Sequence, residues 1–173
     1  MSKILIAYFT LPGETYSGGT IIKVEKGYTE TAAEYISEAT GGDLYRIKQK
    51  RTYSTDHYEM IEEAKAEMES GELPDIEDIP DNLADYDTVV LAFPNWWNSL
   101  PMPVVTFLDR ADLSGKKIVA FNTSGGGGFG NSMNVIRQYA PNSEIVQGLT
   151  LQGAFIENAK NVIQYWAKDE ILS

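Results

Sequence analysis

Three short stretches of this 173-residue chain carry residue types suited to holding a ligand. The first, "NTSGGGGFGNS" at residues 122–132, sets four glycines in a row. Glycine lets backbone N–H groups approach a planar ligand or an anion that side chains would keep away. Four consecutive glycines cost much backbone entropy on ordering, so a binding use outweighs a merely flexible loop. The second, "AFPNWWNSLPMP" at residues 92–103, puts Trp96 and Trp97 in a proline- and asparagine-rich loop. Their area suits a flat partner, or else closes the end of a sheet, and we expect one to face a ligand while the other packs inward. The third, "GYTET" at residues 27–31, opens a helix with glycine and hydroxyl residues. The free N–H groups and macrodipole of such a start bind phosphate-like anions, although Thr29 as an ordinary N-cap accounts for the segment equally well.

The remaining inventory excludes much other chemistry. With no cysteine there is no disulfide, thiolate nucleophile or cysteine-bound metal, and no metal site is expected. His57 is the one imidazole, and at the start of an expected helix it is taken for a surface or capping residue. No P-loop lysine motif, G-x-S-x-G elbow or H-E-x-x-H occurs. The glycine run is no dinucleotide fingerprint, which belongs after the first strand with an acidic residue about 20 positions on. A receiver-type phosphorylation domain needs acids at the end of the first strand, where this chain has Phe9 and Thr10. Fourteen basic against 25 acidic residues give a net charge of −11, which argues against binding nucleic acid or an anionic membrane. The apolar stretch 4–9 is too short for a signal peptide or a span of ~20 residues, so a cytoplasmic protein is expected.

Positioning the three stretches is the task of the elements around them. The length suits a single domain over 1–173. Apolar runs at 4–9, 88–93 and 117–121, with 43–47 and an interrupted pair at 144–146 and 149–151, predict about five strands. Helical patterns fall between them at 29–40, 56–70, 101–108, 131–140 and 157–168, the last with Ala159, Val162, Ile163 and Trp166 facing inward. Such alternation predicts a doubly wound α/β fold, a five-stranded parallel sheet with helices on both faces. Ligands then bind beyond the carboxyl ends of the strands, in the loops after Phe9, Phe93 and Phe121. Residues 11–25 form a long connection, read as an insertion with a small hairpin around Ser17, Gly18 and Gly19. The acid-rich segment 67–87 reads as a solvated connection, with a docking surface for a basic partner as the alternative.

The quoted stretches "AYFTLPGE…KGYTET", "FPNWWNSLPMPVVTFLD" and "NTSGGGGFGNSMNVIRQYAP", each after its proper strand, resemble the flavodoxin-like family. The likeness is greater to its subgroup with a lengthened first loop, and it covers essentially the whole chain. It implies the sheet order 2-1-3-4-5 and flavin mononucleotide (FMN) as cofactor. Thr10 and, beyond the insertion, Gly27, Tyr28 and Thr29 would hold the phosphate, with Tyr28 standing where the family has asparagine. Pro94, Asn95, Trp96, Trp97 and Asn98 would lie against the isoalloxazine ring. Asn98 replaces a common glycine whose peptide reorients in small electron carriers; asparagine tolerates positive φ less freely. Ser124, Gly125, Gly126, Gly127 and Gly128, with Phe129 close by, would contact the pyrimidine side, without the histidine many relatives carry at about Thr123 or Ser124.

Two uses of the cofactor follow from the resemblance. In one, a redox partner protein docks over an exposed flavin edge, steered by acids such as those in 67–87. In the other, the protein takes hydride from NAD(P)H and passes it to a quinone, nitro or azo compound. Tyr53 and Tyr58 could wall that pocket, or simply pack or face solvent. A flavin-free, flavodoxin-shaped interaction module is a third reading, to which Tyr28 and the absent histidine lend the only sequence support. A homodimer is expected by analogy with flavin reductases.

Overall fold

The computed structural model describes residues 3–172. Strand β1 (Ile4–Tyr8) runs into an antiparallel hairpin of β2 (Gly13–Ser17) and β3 (Thr20–Val24), followed by helix α1 (Tyr28–Thr40). Then come β4 (Asp43–Arg46), α2 (His57–Ser70), β5 (Thr88–Pro94), α3 (Met102–Arg110), β6 (Lys117–Ser124), α4 (Ser132–Tyr139), β7 (Glu144–Gln152) and α5 (Lys160–Ile171). Short 3-10 turns occupy Leu83–Asp85 and Gly153–Asn158.

The five long-range strands form one parallel sheet in the order β4-β1-β5-β6-β7, which is 2-1-3-4-5 once the inserted hairpin is left out of the count. Successive side chains of a strand point to opposite faces. Leu5, Ala7 and Phe9 therefore join the core under α2, α3 and α4, while Ile4, Ile6 and Tyr8 join the core under α1 and α5. The helix ends follow local chemistry. Asp56 accepts the Glu59 N–H at 2.9 Å to start α2, and Gly71 ends it in the left-handed region at φ 71°.

Three expectations are corrected. β7 is continuous rather than interrupted, because a register shift between Ala120 and Asn122 absorbs the irregularity. Gly148 lies at that place, where a Cβ would collide with the Ala120 carbonyl oxygen and the Trp166 ring. The last helix begins at Lys160, after the 3-10 turn, and Val162 faces outward at 55 % exposure while Ile163 fills the inward position. Glu67 lies in the helix expected over 56–70, but its side chain, read with the acid-rich segment as solvated, is buried.

The hairpin in 11–25 is present as expected. Gly18 and Gly19, at φ 58° and 93°, form its two-residue turn, and both require positive φ. β5 and β6 run on to Pro94 and Ser124, so the two candidate loops leave the sheet side by side, with Pro94 paired to Thr123. Among the described residues, no helix is long and apolar enough to cross a membrane.

Candidate functional site

A cleft of about 310 Å³ opens at the carboxyl ends of the strands, at the lower end of the size range of small-molecule sites. Pro94, Asn95, Trp96 and Trp97 form one wall, and Thr123, Ser124 and Gly125 another. Tyr16 of the hairpin, Tyr28 of α1, and His57, Met60, Ile61 and Ala64 of α2 complete its lining.

The insertion divides the first candidate motif in sequence but not in space. Gly27 lies so close to Thr10 that a Cβ on it would collide with Thr10 Oγ1 and come within 3.2 Å of the Leu11 carbonyl oxygen. Thr10 is buried, and its hydroxyl has no hydrogen-bond partner. Gly27 is the N-cap of α1 and no side chain caps that helix, so the first-turn N–H groups stand free beside an orphan hydroxyl. Together these groups suit an oxyanion. Thr29 is not the N-cap; it is buried inside the first turn, and its Oγ1 lies 2.9 Å from Thr123 Oγ1, bridging α1 to β6. Tyr28 donates from its hydroxyl to Ser17 Oγ at 2.8 Å, fastening the hairpin to α1.

The tryptophan loop is a tight turn. Trp96 N–H donates to the Ser99 carbonyl at 3.1 Å, and Ser99 N–H returns the bond at 3.0 Å. Trp97 and Asn98 between them have φ 50° and 63°, the pattern of a type I′ turn. Asparagine is a usual occupant of such a turn, whereas a bulky residue there stores strain of about 1–3 kcal/mol. Trp97 is held by its own side chain, whose Nε1–H donates to the Ile61 carbonyl at 2.7 Å while the Lys65 ammonium sits 5.2 Å from the ring centre. The Asn98 carbonyl accepts the Asn131 N–H at 2.7 Å, which ties the turn to the start of α4.

The two tryptophans play different parts. Trp96 packs edge-on against Phe9 at 5.2 Å and Tyr53 at 5.5 Å, so most of its ring serves the core. Trp97 is the outer one, 40 % exposed. Behind Trp96, the Tyr53 hydroxyl donates to buried Glu67 at 2.5 Å, and Arg51 closes the group at 3.1 Å from the same carboxylate. Burial first, and then the Glu67 hydrogen bond, raise the Tyr53 phenol far above its usual range, so it stays protonated. Tyr53 therefore packs beside the cleft, and Tyr58 faces solvent at 67 % exposure.

In the glycine-rich loop, Ser124 is the organiser. Its hydroxyl accepts the N–H groups of Gly126 and Gly128, each at 3.2 Å. Ser124 and Gly125 line the cleft, whereas Gly126, Gly127 and Gly128 lie outside its wall. Phe129 turns inward instead of toward a ligand. It is buried and meets Phe93 at 6.3 Å, which leaves only its backbone available. Asn95 N–H donates to the Thr123 carbonyl at 2.8 Å, while Asn95 Oδ1 is buried without a partner.

Sequence reasoning missed Tyr16, the α2 wall and, above all, His57. That residue lines the cleft, with its Nδ1 buried and unpartnered, rather than capping a helix at the surface. The available signal was its place at a helix start after β4, which puts it at the carboxyl end of the sheet.

The family model described as flavodoxin matches residues 3–169. Candidate flavoproteins of Bacteroides eggerthii and Bacteroides uniformis are similar in structure, at 32 % and 30 % identity and TM-scores of 0.70 and 0.72. Each alignment covers 94 % of this chain and 98 % of the other. A flavoprotein of Lactobacillus acidophilus, solved in complex with FMN, shares the fold at 20 % identity and a TM-score of 0.65, over 97 % of this chain and all of its own. No curated protein matches the sequence.

Proposed function

The chain belongs to the flavodoxin family, and from that premise we propose that it binds FMN in the cleft and works as a redox protein. The observation that carries this is the buried, unpartnered Thr10 hydroxyl at the uncapped start of α1, closed by a residue that only glycine can be. Such a corner holds polar groups that lack acceptors or donors until an oxyanion fills it. The residues present fit the cofactor. Thr10, Gly27 and the first turn of α1 would hold the phosphate. Pro94 to Trp97 would wall the ring, and Asn95 and Ser124 to Gly125 would supply polar contacts. When bound, the flavin supplies reversible uptake of one or two electrons. The acidic chain disfavours added negative charge at the site, an effect that salt screens.

The pinned turn bears on how the electrons are used. With the Asn98 carbonyl bonded to Asn131, that peptide has no free swing of the kind described above for small carriers. The α2 wall also extends the cleft with apolar residues beyond the three loops. Both features favour NAD(P)H-dependent reduction of a small acceptor over service as a carrier for a redox partner protein, and a cytoplasmic setting goes with either use.

The test is to purify the protein, titrate it with FMN and add NAD(P)H without oxygen. Rapid bleaching of bound flavin supports the reductase, and bleaching only with a partner reductase supports the carrier. Failure to bind FMN at high micromolar concentration sinks both.

A further inference from the structure

We propose that the inserted hairpin is itself part of the flavin site, with Tyr16 of β2 covering the bound ring beside the glycine-rich loop and keeping solvent from it. This role rests on the flavin reading above and adds a fourth segment to the three loops that the family resemblance assigned.

A two-stranded hairpin alone is marginal in water, so β2 and β3 need anchors elsewhere in the molecule. They are held at three places. At the base, Glu14 N–H donates to the Thr55 carbonyl at 3.4 Å. Directly after Tyr16, the Ser17 hydroxyl accepts from Tyr28 at 2.8 Å, and the Tyr28 ring in turn rests on Gly153, where a Cβ would collide with it. At the turn, Gly18 lies beside Ala154. A hairpin fastened at base, middle and turn holds Tyr16 in one place.

That place is the boundary of two hollows. Tyr16 lines the cleft, and it also lines a smaller cavity of about 160 Å³ under the hairpin turn, with Ser17, Gly18, Gly19 and Gln152. Ser124 and Gly125 border both hollows as well, so the Tyr16 ring and the start of the glycine-rich loop together form the partition. A Cβ on Gly125 would come to 3.3 Å from the Tyr16 ring. Gly125 has no positive φ, so room for that ring, not backbone conformation, favours glycine there. Residues 124–128 carry no aromatic side chain, and Tyr16 brings one to this side of the site from the insertion. Tyr16 is nevertheless 47 % exposed, which leaves ring area at the cleft for a flat partner. Without it the cleft and the smaller cavity would merge and admit water from the hairpin side.

The experiment titrates the oxidised protein with FMN and, separately, with riboflavin, and records the flavin absorbance difference on adding glycerol, which reports how far solvent reaches the ring. Tyr16→Thr removes the ring while its β-branched side chain suits strand β2. It is expected to weaken FMN and riboflavin alike by about five- to tenfold, the range for losing one aromatic contact and its buried area, and to enlarge the glycerol difference. Tyr16→Phe, which keeps the ring, is expected to stay within about twofold of wild type, and circular dichroism checks that both variants fold. Unchanged affinity and an unchanged glycerol difference in Tyr16→Thr, or equal losses in both variants, overturn the assignment. A loss for FMN with riboflavin unaffected places Tyr16 at the phosphate and also overturns it. If the wild-type protein takes up no FMN, the flavin reading fails and this role with it, which is seen before any variant is compared.

Discussion

Gly27 lies directly against the hydroxyl of Thr10, although the whole β2–β3 hairpin is looped out between them. The insertion leaves and rejoins the chain at nearly one point, so a binding corner interrupted in sequence is continuous in space.

This corner can be tested against the phosphate alone. Thr10→Val keeps the shape and removes the hydroxyl, and Gly27→Ala forces a methyl group onto Thr10. Both are expected to weaken FMN binding, by about fivefold or more for the valine and by a larger factor for the alanine. Riboflavin, which lacks the phosphate, should bind Thr10→Val as it binds wild type. Equal losses for FMN and riboflavin would remove Thr10 from the phosphate site.

The two tryptophans should separate stability from binding. Trp96→Ala opens space between Phe9 and Tyr53 and is expected to cost about 3 kcal/mol in urea unfolding. Trp97→Ala loses one hydrogen bond and relieves part of the left-handed strain, so its cost stays within about 1 kcal/mol. Its effect should appear in FMN affinity and flavin quenching instead.

Alkaline pH should expose the buried phenols. Burial first, then Asp78 and Glu77, push Tyr45 up to about 12, and Tyr53 is raised further by burial and Glu67. A phenol whose folded value lies above its unfolded value of about 10 stabilises the fold fully below that pH. The contribution is lost as pH rises, across about 10 to 12 for Tyr45. Urea midpoints measured from about pH 8 to 12 are expected to fall in that window, and to fall less in Tyr45→Phe. At neutral pH that variant should be as stable as wild type or more so, since the Tyr45 hydroxyl is buried without a partner.

The Tyr28–Ser17 hydrogen bond should govern the hairpin alone. Tyr28→Phe removes that tether and is expected to speed amide exchange across β2 and β3, with global stability changed by less than about 1 kcal/mol. Unchanged exchange would show that the hairpin is held by its other contacts, such as Glu14 N–H to the Thr55 carbonyl at 3.4 Å.

The sequence by itself determined the doubly wound sheet, the hairpin at Gly18 and Gly19, and the three loops that surround the site. These depend on periodicity, turn chemistry and helix stops, which act between residues close together in the chain. It also determined that Trp96 and Trp97 would differ, but not which one turns inward. Only the tertiary structure decided that Trp96 packs between Phe9 and Tyr53, that Trp97 is held left-handed by the Ile61 carbonyl, that Phe129 belongs to the core, and that His57 lines the cleft. Each of these is set by a partner distant in sequence, and the free energy of such a contact exists only once the sheet has brought both partners together.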